Sequence, residues 1–229
     1  MSNVVGTVAP SGNLSLTRMP RWPGEPSALE ILRHAMPTRG LGKGVAAWRL
    51  RNLPNLWRGL WRVATARALG IPHHYGVLYL DVIHKDGSRT PLGLASMRVV
   101  TTAGAGYLVD ALQNLVEAEN MKFHGFGTGT TAEAAGDTAL VTEETTQYAT
   151  DNTRPTGSQT ENGAQVYRTV GTYSPDSGGT RAITEHGIFS QAATGGGVLL
   201  DRSVFSAVNL VASADSLQAT YDLTINSGG

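Results

Sequence analysis

A glycine-rich string, Gly125-Phe126-Gly127-Thr128-Gly129-Thr130-Thr131, has the composition of a loop that cradles phosphate. Its detail argues against that chemistry. No lysine follows at the Walker position, and no G-x-G-x-x-G register fits. The string ends a strand pattern, with no helix start to turn N–H groups toward an anion. It reads as a tight strand-end turn. Histidines are the next candidates, as metal ligands. His73 and His74 are adjacent, which points their side chains to different sides of an extended chain. His34, His84, His124 and His186 are scattered, without an H-E-x-x-H or i, i+4 pair. They read as surface or hydrogen-bonded side chains. Hydrolysis needs a nucleophile beside a base, or two convergent carboxylates. No G-x-S-x-G elbow occurs. Glu143 and Glu144 are adjacent and diverge in an extended segment, and Asp137 before Thr138 is a turn or cap residue. The sequence therefore predicts no catalytic residue, no cofactor site and no metal site.

Binding chemistry is better represented. Trp22, Trp48, Arg49, Arg51, Trp57, Arg58, Trp61 and Arg62 concentrate aromatic and cationic side chains in the first part of the chain. Such a set suits three partners: nucleic acid through phosphate contacts, an anionic membrane through a basic amphipathic helix, or protein through Trp and Arg anchors. A solvated basic face is the plain alternative. Prolines and glycines interrupt the segment too often for a long membrane-surface helix. Aromatics spread over some forty residues suit a groove on a large surface, so protein docking is the favoured reading.

The charge pattern supports a division at the same place. The 229 residues have a formal net charge of zero. Residues 1–76 hold ten Lys/Arg against two Glu, a net of +8, whereas residues 77–229 hold eight Lys/Arg against sixteen Asp/Glu, a net of −8. Segregation of this size points to partners or to contacts between copies. The chain lacks cysteine, which excludes a disulfide scaffold and Cys-based metal or redox sites. No apolar run approaches the roughly 18 residues of a spanning helix, and no secretory signal pattern is visible at Met1–Pro10.

These features predict two parts, a basic arm over 1–75 and an acidic β-domain over 76–229. Met19 to Pro26 holds three prolines, each fixing φ and removing a donor, so residues 1–26 read as extended. Ser27 and Glu30 form a capping box for a short helical piece ending at Pro37. A second piece runs from about Val45 to Leu69. Its residues Trp57, Leu60, Trp61 and Ala64 share one face, and Pro54 is expected to interrupt or kink it. Such pieces are marginal alone, so the arm is expected to order by docking on its own domain or on another chain.

From Tyr75 the period becomes two. Val77–His84 and Arg89–Val100 flank Lys85-Asp86-Gly87-Ser88, a hairpin with an expected type I′ turn. Ala105–Glu119 reads as one amphipathic helix with Leu108, Leu112, Leu115 and Val116 on a face. Strands are expected over Met121–Thr128, Ala164–Tyr173, Ala182–Ser190, Val198–Val208 and Leu217–Ile225. In the last, Leu217, Ala219, Tyr221, Leu223 and Ile225 alternate with polar residues, as in a half-buried antiparallel strand. Residues 129–163 read as a long surface excursion with possible short strands. The fold class is mainly β: an antiparallel β-sandwich, jelly-roll-like, with one packed helix, preceded by an extended, partly helical arm.

Five blocks in order resemble a pattern of virion structural proteins from tailed bacteriophages. They are Val99-Val100-Thr101-Thr102-Ala103-Gly104; the Phe126–Thr131 string with Gly136-Asp137-Thr138-Ala139-Leu140 and Glu143; Ile183–Phe189, similar to I-x-E-x-G-L-F; Val198–Phe205, similar to L-L-x-R-x-x-F; and Asp215–Ile225, similar to D-x-L-x-V-x-W-x-I with Tyr221 near the usual aromatic. The resemblance spans about residues 97–225 and leaves the first 76 unmatched. It implies a non-enzymatic β-rich module of a head decoration protein or of a tail or fibre component. On the residues themselves, Gly127 and Gly129 allow a turn with unusual φ. Asp137-Thr138 fixes the loop through backbone hydrogen bonds. Glu185 and Arg202 fall on neighbouring strands where they can pair, worth about 0–1 kcal/mol if exposed.

Together these readings lead to a capsid decoration (cement) protein located in the virion and assembled in the host cytoplasm. Its expected partners are the major capsid protein and copies of itself, as in a homo-oligomer such as a trimer. No small-molecule substrate and no membrane partner is expected. The alternatives are a tail, baseplate or fibre-attachment subunit, and a nucleic-acid-binding protein using the basic arm.

Overall fold

The computed structural model describes residues 42–69, 74–163 and 165–225. The expected extended arm 1–26, the capping box at Ser27 and Glu30, and Trp22 lie outside these residues. Two antiparallel sheets face each other. Their strands are β1 (Tyr75–Ile83), β2 (Arg89–Val99), β3 (Phe123–Gly127), β4 (Ser158–Glu161), β5 (Val166–Tyr173), β6 (Thr180–Phe189), β7 (Leu199–Val211) and β8 (Ser216–Thr224). One sheet has the order β2-β1-β8-β5-β4 and the other β3-β6-β7. This is the antiparallel β-sandwich that the alternating pattern predicts.

Alternation sets the register. Leu217, Ala219, Tyr221 and Leu223 of β8 are buried, and β8 is flanked by β1 and β5. They meet Phe126, Ile183, Ile188, Leu200, Phe205 and Val208 from the second sheet in one core. Burial of each large side chain is worth roughly 1.5–3 kcal/mol, more than the β-propensity range of about 1 kcal/mol, so a one-residue slip is opposed along the whole strand.

The β1–β2 hairpin forms, but with a different turn. Only Gly87 has positive φ (81°); Asp86 does not. Gly87 N donates to His84 O and His84 N to Ser88 O, at 2.8 and 2.9 Å. This is a longer loop closed by a left-handed glycine rather than a two-residue type I′ turn. Gly93, at φ 81°, lies at a register irregularity opposite Leu80. There the extra residue bends the strand.

The expected helix at 105–119 is shorter. Helix α2 spans Thr102–Leu112. Thr101 caps it, with Oγ1 accepting from Gly104 N at 2.9 Å and donating to Leu199 O at 2.6 Å. Asn114 at φ 58° marks its end. Leu108 and Val116 pack against the core, but Leu112 and Leu115 are 89% and 67% exposed.

The second piece of the arm is one helix, α1 (Lys43–Ala68), continuous through Pro54. Pro54 is exposed, so the carbonyl that loses its helical partner lies on the solvent side, where water can satisfy it. Helix α1 packs on β2 and β7. Leu56, with Leu53 and Leu60, covers Tyr75, Val77, Leu94 and Met97 on the outer side of the hairpin. No helix among the described residues is long and apolar enough to cross a membrane.

Candidate protein-docking surface

Helix α1 is fixed by the side opposite to the one its sequence highlights. Trp48 is 3% exposed and its Nε1 donates to Ser206 O at 2.7 Å. Asn52, fully buried, bridges both sheets. Its Nδ2 donates to Ala95 O at 2.7 Å and its Oδ1 accepts from Ser206 N at 2.9 Å. Arg49 Nε donates to Leu92 O at 2.9 Å. Gly59 brings the helix onto the β2 backbone, since a Cβ there would overlap Met97 O. Val45, Trp48, Asn52, Leu56 and Gly59 therefore form the inward stripe, at helical spacing.

The predicted set of eight splits accordingly. Trp48 and Arg49 hold the helix on its own sandwich. Arg62 reaches inward in part, with Nη1 3.8 Å from Glu133 Oε1. Trp57 and Trp61 point outward, 54% and 67% exposed, together with exposed Arg51 and Arg58. Arg58 donates to Asn55 Oδ1 on its own helix. The predicted face Trp57-Leu60-Trp61-Ala64 is thus mostly outward, with only Leu60 packing inward. Leu50, 53% exposed, extends that stripe and was missed. Its signal is the seven-residue step Leu50-Trp57-Ala64, which keeps one helical face.

Behind α1, Glu133 is almost fully buried. Arg98 Nε lies 2.9 Å from Glu133 Oε1, without hydrogen-bond alignment. Burial lowers the Arg98 guanidinium to about 10, while Glu133 and Asp201 act in the opposite sense. Arg62, Arg98, Thr101, Glu133, Ala134, Ala135 and Arg202 line a cavity of about 370 Å³. Asp201, buried beside Ser203, is raised to about 7 because its charge loses water; Arg98 and the Ser203 hydroxyl oppose the rise.

Residues from the Phe126–Glu143, Ile183–Phe189 and Val198–Phe205 blocks form a fastening network. Glu185 Oε1 accepts from Gly129 N at 3.0 Å and Thr142 N at 2.7 Å; Oε2 accepts from Val141 N at 3.1 Å. Arg202 donates to Glu185 Oε2 at 2.9 Å, to Asp137 Oδ2 at 3.0 Å and to Thr131 O at 3.0 Å. Both members of the Glu185–Arg202 pair are buried, not exposed. Gly127 and Gly129 have no positive φ. They are required by close approach: a Cβ on Gly127 would overlap Thr142 O and lie 2.6 Å from Glu185 Oε1, and one on Gly129 would lie 2.5 Å from Oε1. Glu143 pairs with Arg154, which lies 3.5 Å from the Phe189 ring centroid. Glu144 pairs with Arg181. The excursion 129–163 is therefore tied to β6 and β7 through buried charge, and it holds one short strand, β4, as the sequence allowed.

His124 and His186 meet in the core. His124 Nδ1 lies 3.0 Å from His186 Nε2, and His124 Nε2 lies 3.1 Å from Thr169 Oγ1. Burial pushes His124 down to about 3; His186 falls well below its ordinary value through burial and the neighbouring ring. Both are neutral hydrogen-bonding groups in the fold. Among the described residues no group of three or more His, Asp, Glu or Cys is placed to hold a metal ion. No family model and no curated protein matches the chain.

Proposed function

We propose that the chain is a non-enzymatic structural protein of a tailed-bacteriophage virion, a decoration or cement protein that binds the head shell. One observation carries this reading. Leu50, Trp57 and Trp61 present a large apolar face beside Arg51 and Arg58, on a helix already locked by its opposite side. A face of this kind on a rigid support suits protein docking, where buried Trp and Arg anchors contribute about 2 kcal/mol or more each. The ordered blocks that resemble those of phage virion proteins support the virion part of this reading, and in the fold their charged residues fasten loops.

The helix belongs to the sandwich through Trp48, Asn52 and Leu56, so deleting residues 1–60 would strip the covering of the hairpin. The test instead uses the full chain with W57S and W61S. Particles assembled with this variant lack it, while its circular dichroism shows the parental fold. Incorporation at the parental level overturns the proposal. Copy number in particles separates the head from the tail: stoichiometry set by the shell lattice supports decoration, and one small ring per particle supports a tail or baseplate subunit. DNA affinity that falls steeply with log salt would support the nucleic-acid reading instead.

A further inference from the structure

Helix α2 offers a second outward apolar face. Val109, Leu112 and Leu115 are 52%, 89% and 67% exposed. Apart from Val141, Val211 and Ile225, the exposed large apolar side chains of the described residues fall on α1, on its last turn at Leu69, or on α2 with the turn after it. The two faces carry opposite charge. Residues 43–68 include six Lys/Arg and no acidic residue, and residues 102–120 include Asp110, Glu117 and Glu119 and no Lys or Arg. Arg51 and Arg58 are exposed beside the first face; Asp110, Glu117 and Glu119 are exposed beside the second.

We infer that the outward face of α1 seats on the outward face of α2 in a second copy of this chain. The inference rests on the reading of the α1 face as a protein-docking surface and adds its occupant. Apolar side chains meet in the middle of such a contact, with Arg51 and Arg58 of one copy against Asp110, Glu117 and Glu119 of the other. Opposite potentials fix the register and reject pairing of α1 with α1, where like charges would face each other. The lengths agree. Leu50 to Trp61 rises about 16 Å along α1, and the eleven residues of α2 rise about the same. Because the two faces differ, each copy keeps one of each, and repetition of the contact closes a ring when its rotation allows.

Sedimentation of the purified full chain tests this without virions. The parent sediments as an oligomer at micromolar concentration. W61E alone and L112E alone, both at exposed positions, dissociate it by at least tenfold. An equimolar mixture of the two recovers a one-to-one dimer, because one copy supplies an intact α1 and the other an intact α2. R51E/R58E dissociates the oligomer, and adding D110R/E117R to the same chain restores it. A monomeric parent overturns the inference, as does L112E with parental mass or a mixture that stays monomeric. A monomeric parent whose W57S/W61S variant is lost from particles sinks this inference and leaves the virion proposal standing. An oligomer that never enters particles does the reverse.

Discussion

The buried histidine pair makes acid sensitivity a property of the core. In the unfolded chain each ring takes up a proton below about pH 6.5, the ordinary value. In the fold His124 stays neutral down to about 3, and His186 behaves in the same sense. Above pH 6.5 both states hold neutral rings and the pair adds no pH dependence. Below it the unfolded chain binds two protons that the fold excludes, so stability falls as pH falls. Each such proton contributes about 1.4 kcal/mol per pH unit. Asp201 opposes this. Its carboxyl holds a proton in the fold below about 7, whereas the unfolded carboxyl stays ionised down to about 3.8. Between pH 6 and 4.5 unfolding therefore takes up a net of one proton, and stability declines by about 1.4 kcal/mol per unit, about 2 kcal/mol over the interval.

D201N isolates the two contributions. It keeps the shape of the side chain and removes the opposing proton, so the decline doubles to about 2.7 kcal/mol per unit, about 4 kcal/mol over the same interval. Asp86 and Asp215 have carboxyls held below the usual range, Asp86 by its Ser88 hydrogen bonds and Asp215 by the Val211 amide and His84 against the pull of burial, so their stability is lost only at more acid pH. The assay is urea unfolding at half-unit steps from pH 6 to 4.5, extrapolated to water. A flat or inverted profile for the parent, or a D201N profile parallel to it, refutes the reasoning.

Other tests address the helix and the network. G59A drives a methyl into Met97 O and destabilises the fold by about 1–3 kcal/mol, whereas G44A, with nothing within 4 Å of its Cβ, stabilises it by about 0.5–1 kcal/mol; urea midpoints read both. E185Q breaks a buried pair and leaves Arg202 with Asp137 as its one remaining carboxylate, beside Thr131 O, a loss of about 3–5 kcal/mol by the same measurement. R58E leaves stability within about 0.5 kcal/mol, because the Arg58 side chain is exposed.

The parts of this fold that were legible in the sequence are those governed by period. β8 alternates cleanly over Leu217–Leu223, since one face there is apolar and the pleat enforces the rest; the β1–β2 hairpin was legible from its Asp86-Gly87 turn, although both of its faces carry buried apolar residues. Helix α1 was legible as a helix but not in its orientation. It carries two apolar stripes, and the stripe with more tryptophan faces out. The inward stripe contains Asn52, which looks polar in sequence and is buried because its amide bonds backbone groups of both sheets. The end of α2 was misplaced because Leu115 and Val116 continue the apolar spacing past Leu112, while the chain turns at Asn114. The candidate surface was half legible: Trp57, Trp61, Arg51 and Arg58 stand exposed on α1, Trp48 and Arg49 face the sandwich, and Leu50 required the seven-residue step.

The network around Glu185 explains how a long irregular segment is held on the sandwich. Residues 129–157 contribute no strand of the two sheets, so their backbone N–H and C=O groups need other partners. One carboxylate accepting three N–H groups supplies several at once, but only when buried, and a buried carboxylate needs a cation. Arg202 meets that need and extends it to Asp137 and Thr131 O. Gly127 and Gly129 then follow from the approach of the carboxylate, and Asp137 from the remaining Arg202 donor. Each residue of the pattern is fixed by its neighbour in the network. Such a pattern marks a way of holding this excursion on this sandwich, and it says little about where the protein attaches. Among the described residues, exposed large apolar side chains collect instead mainly on the outward sides of α1 and α2, beside exposed charge.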